Sequence, residues 1–95
     1  MSLKYVEYAT ITHELIRVTD EHVEVGLAAV ARNALGALLD AQLPDIGTKV
    51  LAGERLGIVE GSKTAAEFYA PCAGRVVAVA EASCSCCDWL VRLAR

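Results

Sequence analysis

The chain has few aromatic residues: one Trp, one Phe and three Tyr among 95 positions. Its core must therefore draw on Val, Leu, Ile and Ala, and sixteen residues are alanine. Small, branched side chains of this kind suit short strands packed face to face. Basic side chains are also scarce, with nine Lys and Arg against twelve Asp and Glu and a net charge of −3. No two basic residues are adjacent, so there is no electrostatic footprint for nucleic acid or an anionic membrane. No apolar run reaches the ~18 residues of a membrane-spanning helix. The opening Met1-Ser2-Leu3-Lys4 lacks the apolar segment of a secretory signal. These absences predict a cytoplasmic protein, where four cysteines are not expected to form stable disulfides. The length predicts a single domain over residues 1–95.

The residues that are present read mostly as strands. Val23 and Val25 alternate with Glu24, the period of a half-buried strand. Residues 10–18 and 22–27, separated by the polar Thr19-Asp20-Glu21, form an expected hairpin. Over 28–35 the period changes to helical spacing, and Gly36 stands where a C-terminal cap belongs. Residues 37–43 fit helix or strand equally well. Pro44-Asp45-Ile46-Gly47 is a turn. Further strands are expected over 56–60, 67–70, 75–80 and 89–93. Gly47-Thr48-Lys49-Val50-Leu51 and Gly74-Arg75-Val76-Val77 each follow a proline by three residues. This faint repeat suggests two half-sandwiches in a flattened barrel.

The chain holds only three lysines: Lys4, Lys49 and Lys63. Lys4 falls in a terminus expected to fray, and Lys49 lies at a strand edge. Lys63 follows Gly61 and Ser62 at an expected hairpin tip. A tip projects its side chain into solvent, where another enzyme can reach it. Most turn lysines are merely solvated, and Thr64-Ala65-Ala66-Glu67 also fits a capping box that would start a helical turn. Local sequence alone favours the solvated reading.

Residues 57–76 read Gly-Ile-Val-Glu-Gly-Ser-Lys-Thr-Ala-Ala-Glu-Phe-Tyr-Ala-Pro-Cys-Ala-Gly-Arg-Val. This stretch resembles the lipoylation segment of glycine-cleavage H proteins. That family typically has Gly-x-Val-Glu-Ser-Val-Lys-Ala, then Tyr-Ala-Pro and Gly-x-Val. Glu60, Lys63, Ala65, Tyr69, Ala70, Pro71, Gly74 and Val76 stand at matching positions. Upstream, Thr12-His13-Glu14-Leu15 resembles the family's Thr-His-Glu-Trp, with Leu15 in place of tryptophan, and Leu43-Pro44-Asp45-Ile46-Gly47 also fits. The likeness runs from about residue 10 to residue 81, plus the final strand.

The resemblance implies a mainly β fold, a flattened β-barrel (barrel-sandwich hybrid, lipoyl-domain-like) with one short helix. It implies a covalent lipoyl carrier, with lipoic acid attached to Lys63 and Glu60 read by the modifying enzyme. Such a carrier is not itself an enzyme. It shuttles an aminomethyl or other dithiol-bound group between partners. The implied partners are a lipoate ligase or octanoyl/lipoyl transferase, glycine decarboxylase, aminomethyltransferase and dihydrolipoyl dehydrogenase. The carrier itself is expected to be a monomer. Biotin carriers usually flank their lysine with methionines, and the only Met here is Met1, which favours lipoyl.

Besides Leu15 and an N-terminus that reads as shortened, the chain departs from the family pattern in three places. Gly61-Ser62 replaces Ser-Val before the lysine, which predicts a more flexible turn. Ala80 replaces the usual Asn before Glu81. The loop and helix that usually precede the last strand give way to Ala82-Ser83-Cys84-Ser85-Cys86-Cys87-Asp88. Cys-x-Cys-Cys is too tight to supply a tetrahedral zinc set, so this loop is expected to be structural and no metal site is expected. Cys72 is expected to be a small buried apolar residue. His13 and His22 are expected to be ordinary strand residues. Three other functions compete with the carrier reading. One is an unmodified, degenerate lipoyl-like binding module. Another is an H-like carrier for a different lipoate-dependent pathway, such as a sulfur pathway. The third is a small thiol- or metal-handling protein using Cys84, Cys86 and Cys87.

Overall fold

A computed structural model describes residues 5–10, 13–80 and 89–94. The cysteine loop with Cys84, Cys86 and Cys87, as well as Lys4 and Thr12, lies outside the described residues. In chain order the elements are β1 (Tyr5–Ala9), β2 (Glu14–Thr19), β3 (His22–Leu27), α1 (Ala29–Leu35), β4 (Leu38–Gln42), β5 (Lys49–Val50), β6 (Arg55–Gly61), β7 (Ala65–Tyr69), β8 (Gly74–Val79) and β9 (Val91–Ala94). The strands form two antiparallel sheets. One has the order β1-β2-β3-β9-β8-β5 and the other β4-β6-β7. The fold is thus mainly β with one short helix, and its flattened barrel is a sandwich of two sheets. Among the described residues no hydrogen-bonded ladder joins them.

Period-two patterning decides which faces meet. Ile16 pairs with Val25 across β2 and β3, and both are fully buried. From the second sheet, Leu56, Val59 and Phe68 point into the same core, met by Val76, Val91 and Leu93 of the first. Among the described residues Val, Leu and Ile dominate this cluster, and Phe68 is its one aromatic. Cys72 carries a free thiol, is half-buried and packs against this cluster rather than inside it.

Several boundaries differ from the sequence expectation. The ambiguous 37–43 stretch is strand: β4 takes its conformation by pairing with β6, with Ala41 opposite Val59 and Gln42 opposite Ile58. The structure also has a strand that the sequence reading did not name: β1 pairs along the whole of its length with β2. The capping-box alternative at Thr64 does not form a helix, since Ala65 opens β7. The last strand begins at Val91, two residues after its expected start. The faint repeat becomes a physical pair, because β5 and β8 lie side by side with Lys49 opposite Arg75 and Val50 opposite Gly74.

On the outer face of the larger sheet, Glu24 ties three strands together. Arg92 donates to Glu24 Oε2 from Nη2 at 2.7 Å and from Nε at 3.1 Å, and Arg17 Nη1 donates to Oε1 at 3.3 Å. The Arg92 guanidinium also lies 4.4 Å from the Trp89 ring centre, which orients its planar fork. Glu24 has only 13% side-chain exposure, so these charge-assisted bonds are partly shielded from water. Glu24→Gln keeps the shape and removes the charge between two guanidinium groups. We expect it to cost about 1–2 kcal/mol, read as a lower urea midpoint with an unchanged m-value.

Candidate functional site

The β6–β7 hairpin is built by alternation. Val59 opposes Ala66, with Val59 fully buried, while Glu60 opposes Ala65 at the exposed positions. The hairpin closes where Gly61 N–H donates to Thr64 O at 2.8 Å. Ser62 and Lys63 form the bend at its tip, and Lys63 is exposed. The lysine that the sequence singles out therefore stands at the end of a two-strand arm whose other end is anchored in the core by Phe68.

The tip does not hang free. Lys63 N–H donates to Leu35 O at 2.9 Å and Ser62 N–H to Ala37 O at 2.8 Å. Ser62 Oγ accepts from Ala37 N–H at 3.1 Å. Leu35 is the last residue of α1, so the lysine turn satisfies a carbonyl that a helix C-terminus leaves open. A helix of seven residues is marginal alone, and here the turn and the helix end hold each other. This corrects the expectation of a looser turn from Gly61-Ser62. At Gly61 a Cβ would sit 2.3 Å from Leu35 O, so the missing side chain permits close seating, and the Ser62 hydroxyl adds a bond.

Charged groups line the hairpin. Glu60 is exposed and lies opposite Asp40 of β4, a like-charge pair tolerated because both face water. Glu67 accepts from Arg55 Nη1 at 3.0 Å, but both side chains are about half exposed, so the pair contributes roughly 0–1 kcal/mol. An open groove of ≈ 360 Å³ lies on this hairpin, lined by Arg55, Ile58, Ala65, Ala66 and Glu67. An exposed amine on a seated turn, beside an open and partly apolar groove, fits a long arm attached by an amide.

Other residues are placed less suggestively. Lys49 is exposed on the short edge strand β5. His13 and His22 are not brought together: His13 precedes β2, while His22 sits by the turn at the opposite end of the β2–β3 ladder. Among the described residues no three His, Cys, Asp or Glu side chains gather to hold a metal. No described helix is long and apolar enough to cross a membrane.

Glu14, quoted in the sequence only as part of a motif, is 2% exposed. The Thr10 hydroxyl donates to its carboxylate and accepts from its N–H at 3.0 Å. The available signal was parity, since Glu14 shares the inward face with Ile16.

The model of the glycine cleavage H-protein family matches residues 6–85. A glycine cleavage system H protein from Legionella pneumophila (strain Corby) is 48% identical over 73 residues, 77% of this chain and 58% of that protein. A probable glycine cleavage system H protein from Haloarcula marismortui is 43% identical over 77 residues, 81% of this chain and 58% of that protein. Among solved structures, a glycine cleavage system H protein from Mycobacterium marinum superposes with a TM-score of 0.80 at 34% identity. The match covers 92% of this chain and 81% of that one. The chain spans 58% of the length of these curated relatives.

Proposed function

The chain belongs to the glycine cleavage H-protein family, and from that premise we propose that it is a covalent lipoyl carrier, a non-catalytic subunit modified on Lys63. The observation that carries this reading is the exposed Lys63 at a hairpin tip seated on the end of α1. In the attachment step, Lys63 Nζ forms an amide with the carboxyl carbon of an activated lipoyl group. The activating group leaves with its bonding pair, and the lysine ammonium loses two protons to solvent while the amide nitrogen keeps one. When attached, the group would supply a disulfide: its S–S bond breaks as one sulfur bonds a nucleophilic carbon fragment delivered by a partner enzyme, and the other sulfur takes up a proton as the thiol.

The residues of this chain supply the rest. The hairpin gives the arm a rigid root, which raises its effective concentration at any docked active site. Glu60 is proposed as a recognition residue for the modifying enzyme, because it is exposed on the strand leading to the turn. The groove beside the tip gives the arm an apolar floor at Ile58, Ala65 and Ala66. The proposed partners are a lipoate ligase or octanoyl/lipoyl transferase, and the decarboxylase, aminomethyltransferase and dihydrolipoyl dehydrogenase of glycine cleavage.

The test is to incubate the purified chain with lipoate ligase, ATP and lipoate and then map the adduct by peptide mass spectrometry. A single lipoyl adduct on Lys63 is the expected result, and Glu60→Ala should lower the modification efficiency by about ten-fold, the loss of one charge-assisted contact. Failure of several ligases and transferases to modify the wild-type chain would replace the carrier reading with that of an unmodified binding module.

A further inference from the structure

Gly36 ends α1 with φ 79° and ψ −148°, a backbone conformation open in practice only to glycine. Three glycines of this chain share a positive φ: Gly36, Gly47 and Gly53. Gly47 and Gly53 face open space, with nothing within 4 Å of where a Cβ would stand. Gly36 does not. A Cβ there would lie 2.4 Å from Ser62 Oγ, 3.1 Å from Lys63 Cγ and 3.5 Å from Lys63 Cδ. The aliphatic stem of the lysine therefore lies across the bare backbone of Gly36. Its own N–H is bonded to the preceding carbonyl, Leu35 O, at 2.9 Å.

Resting on the carrier reading, we propose that Gly36 is a positioning residue for acylation of Lys63. A free lysine side chain samples many rotamers, and holding it for reaction has an entropic cost. A stem laid on Gly36 has its first torsions narrowed before any enzyme docks. The amine then leaves the turn over a restricted range of directions, which raises the fraction of encounters in attack geometry. The Ser62 hydroxyl, bonded to Ala37 N–H at 3.1 Å, fences one side of this bed. A side chain at residue 36 would fill it and push the stem away.

The matched control is in the same chain. Gly36→Ala and Gly53→Ala both force an L side chain into a positive-φ position, so both should lower Tm. Only the first places a methyl group under Lys63. We expect Gly36→Ala to lower kcat/KM for ligase-catalysed lipoylation by about ten-fold or more, chiefly through kcat. Gly53→Ala should stay within about two-fold of wild type, because it leaves the lysine bed intact. In unmodified wild-type protein, nuclear Overhauser effects should connect Gly36 Hα to the Lys63 γ and δ protons. This readout needs neither a ligase nor a folded variant.

If Gly36→Ala is lipoylated as fast as Gly53→Ala, or the wild-type effects are absent, the positioning role is overturned and the carrier reading stands. If the wild-type chain is not acylated at all, the carrier reading itself falls. Should Gly36→Ala fail to fold, the wild-type nuclear Overhauser effects decide.

Discussion

Lys63→Arg is expected to give a folded protein that gains no mass on incubation with lipoate ligase, ATP and lipoate. The side chain is exposed, and the turn is held through the Lys63 backbone N–H to Leu35 O, which any residue except proline supplies. The fold should therefore keep its Tm. The chemistry should not survive, because a guanidinium stays protonated at any working pH and offers no free amine to an acyl group. Lys49→Arg is the control. Lys49 lies opposite Arg75 on β5, so an approaching enzyme meets a sheet edge and a second cation there, and its replacement should leave modification intact. An adduct that persists in Lys63→Arg protein, or that maps to Lys4 or Lys49 in the wild type, would refute the site.

The position of this lysine was legible in the sequence because it depends on local signals: Gly61-Ser62 before it, strand patterns on both sides, and Pro71 after the second strand. Its support was not legible. Leu35, Gly36 and Ala37 lie some 26 positions before the turn they hold, and they hold it through two backbone carbonyls and an amide. Backbone groups leave no mark in the residue string. Gly36 reads in the sequence as a helix stop, and it is one. Its second role, as the surface beneath Lys63, appears only when the hairpin folds back on α1. The same gap explains the turn's expected looseness, since glycine and serine signal flexibility until the fold gives the hydroxyl a partner.

The fold shows the same division. The β2–β3 hairpin is written in the alternation of Val23, Glu24 and Val25. Leu38-Leu39-Asp40-Ala41-Gln42 has no clear period, and its strand conformation comes from the ladder that β6 offers, with a register shift between Leu38 and Asp40. Tertiary pairing overrides weak local preference there. Lys49-Val50 is too short to declare itself, and its partner β8 lies 24 residues further on.

Phe68→Ala is expected to be the most damaging single change in the core. Phe68 is fully buried and heads the largest completely enclosed side chains. Among the described residues it is also the one aromatic in a cluster otherwise made of aliphatic side chains, which fill the place of a ring only by repacking. Removing a buried phenyl ring costs about 3–5 kcal/mol through lost transfer energy and the cavity left behind. A domain of this size holds roughly 5–15 kcal/mol in total, so the loss takes a large part of its stability. The expected fall in Tm is roughly 15–30 °C, measured by differential scanning calorimetry. The hairpin that carries Lys63 should loosen first, because Phe68 of β7 pins the base of that arm opposite Gly57 of β6. Hydrogen exchange at the Gly61 and Lys63 amides should therefore accelerate more than at Val25, which pairs in the other sheet. Uniform acceleration at all three would show instead that the chain opens as one unit and that the lysine turn has no separate stability. A Tm within a few degrees of wild type would show that Leu56 and Val76 close over the gap.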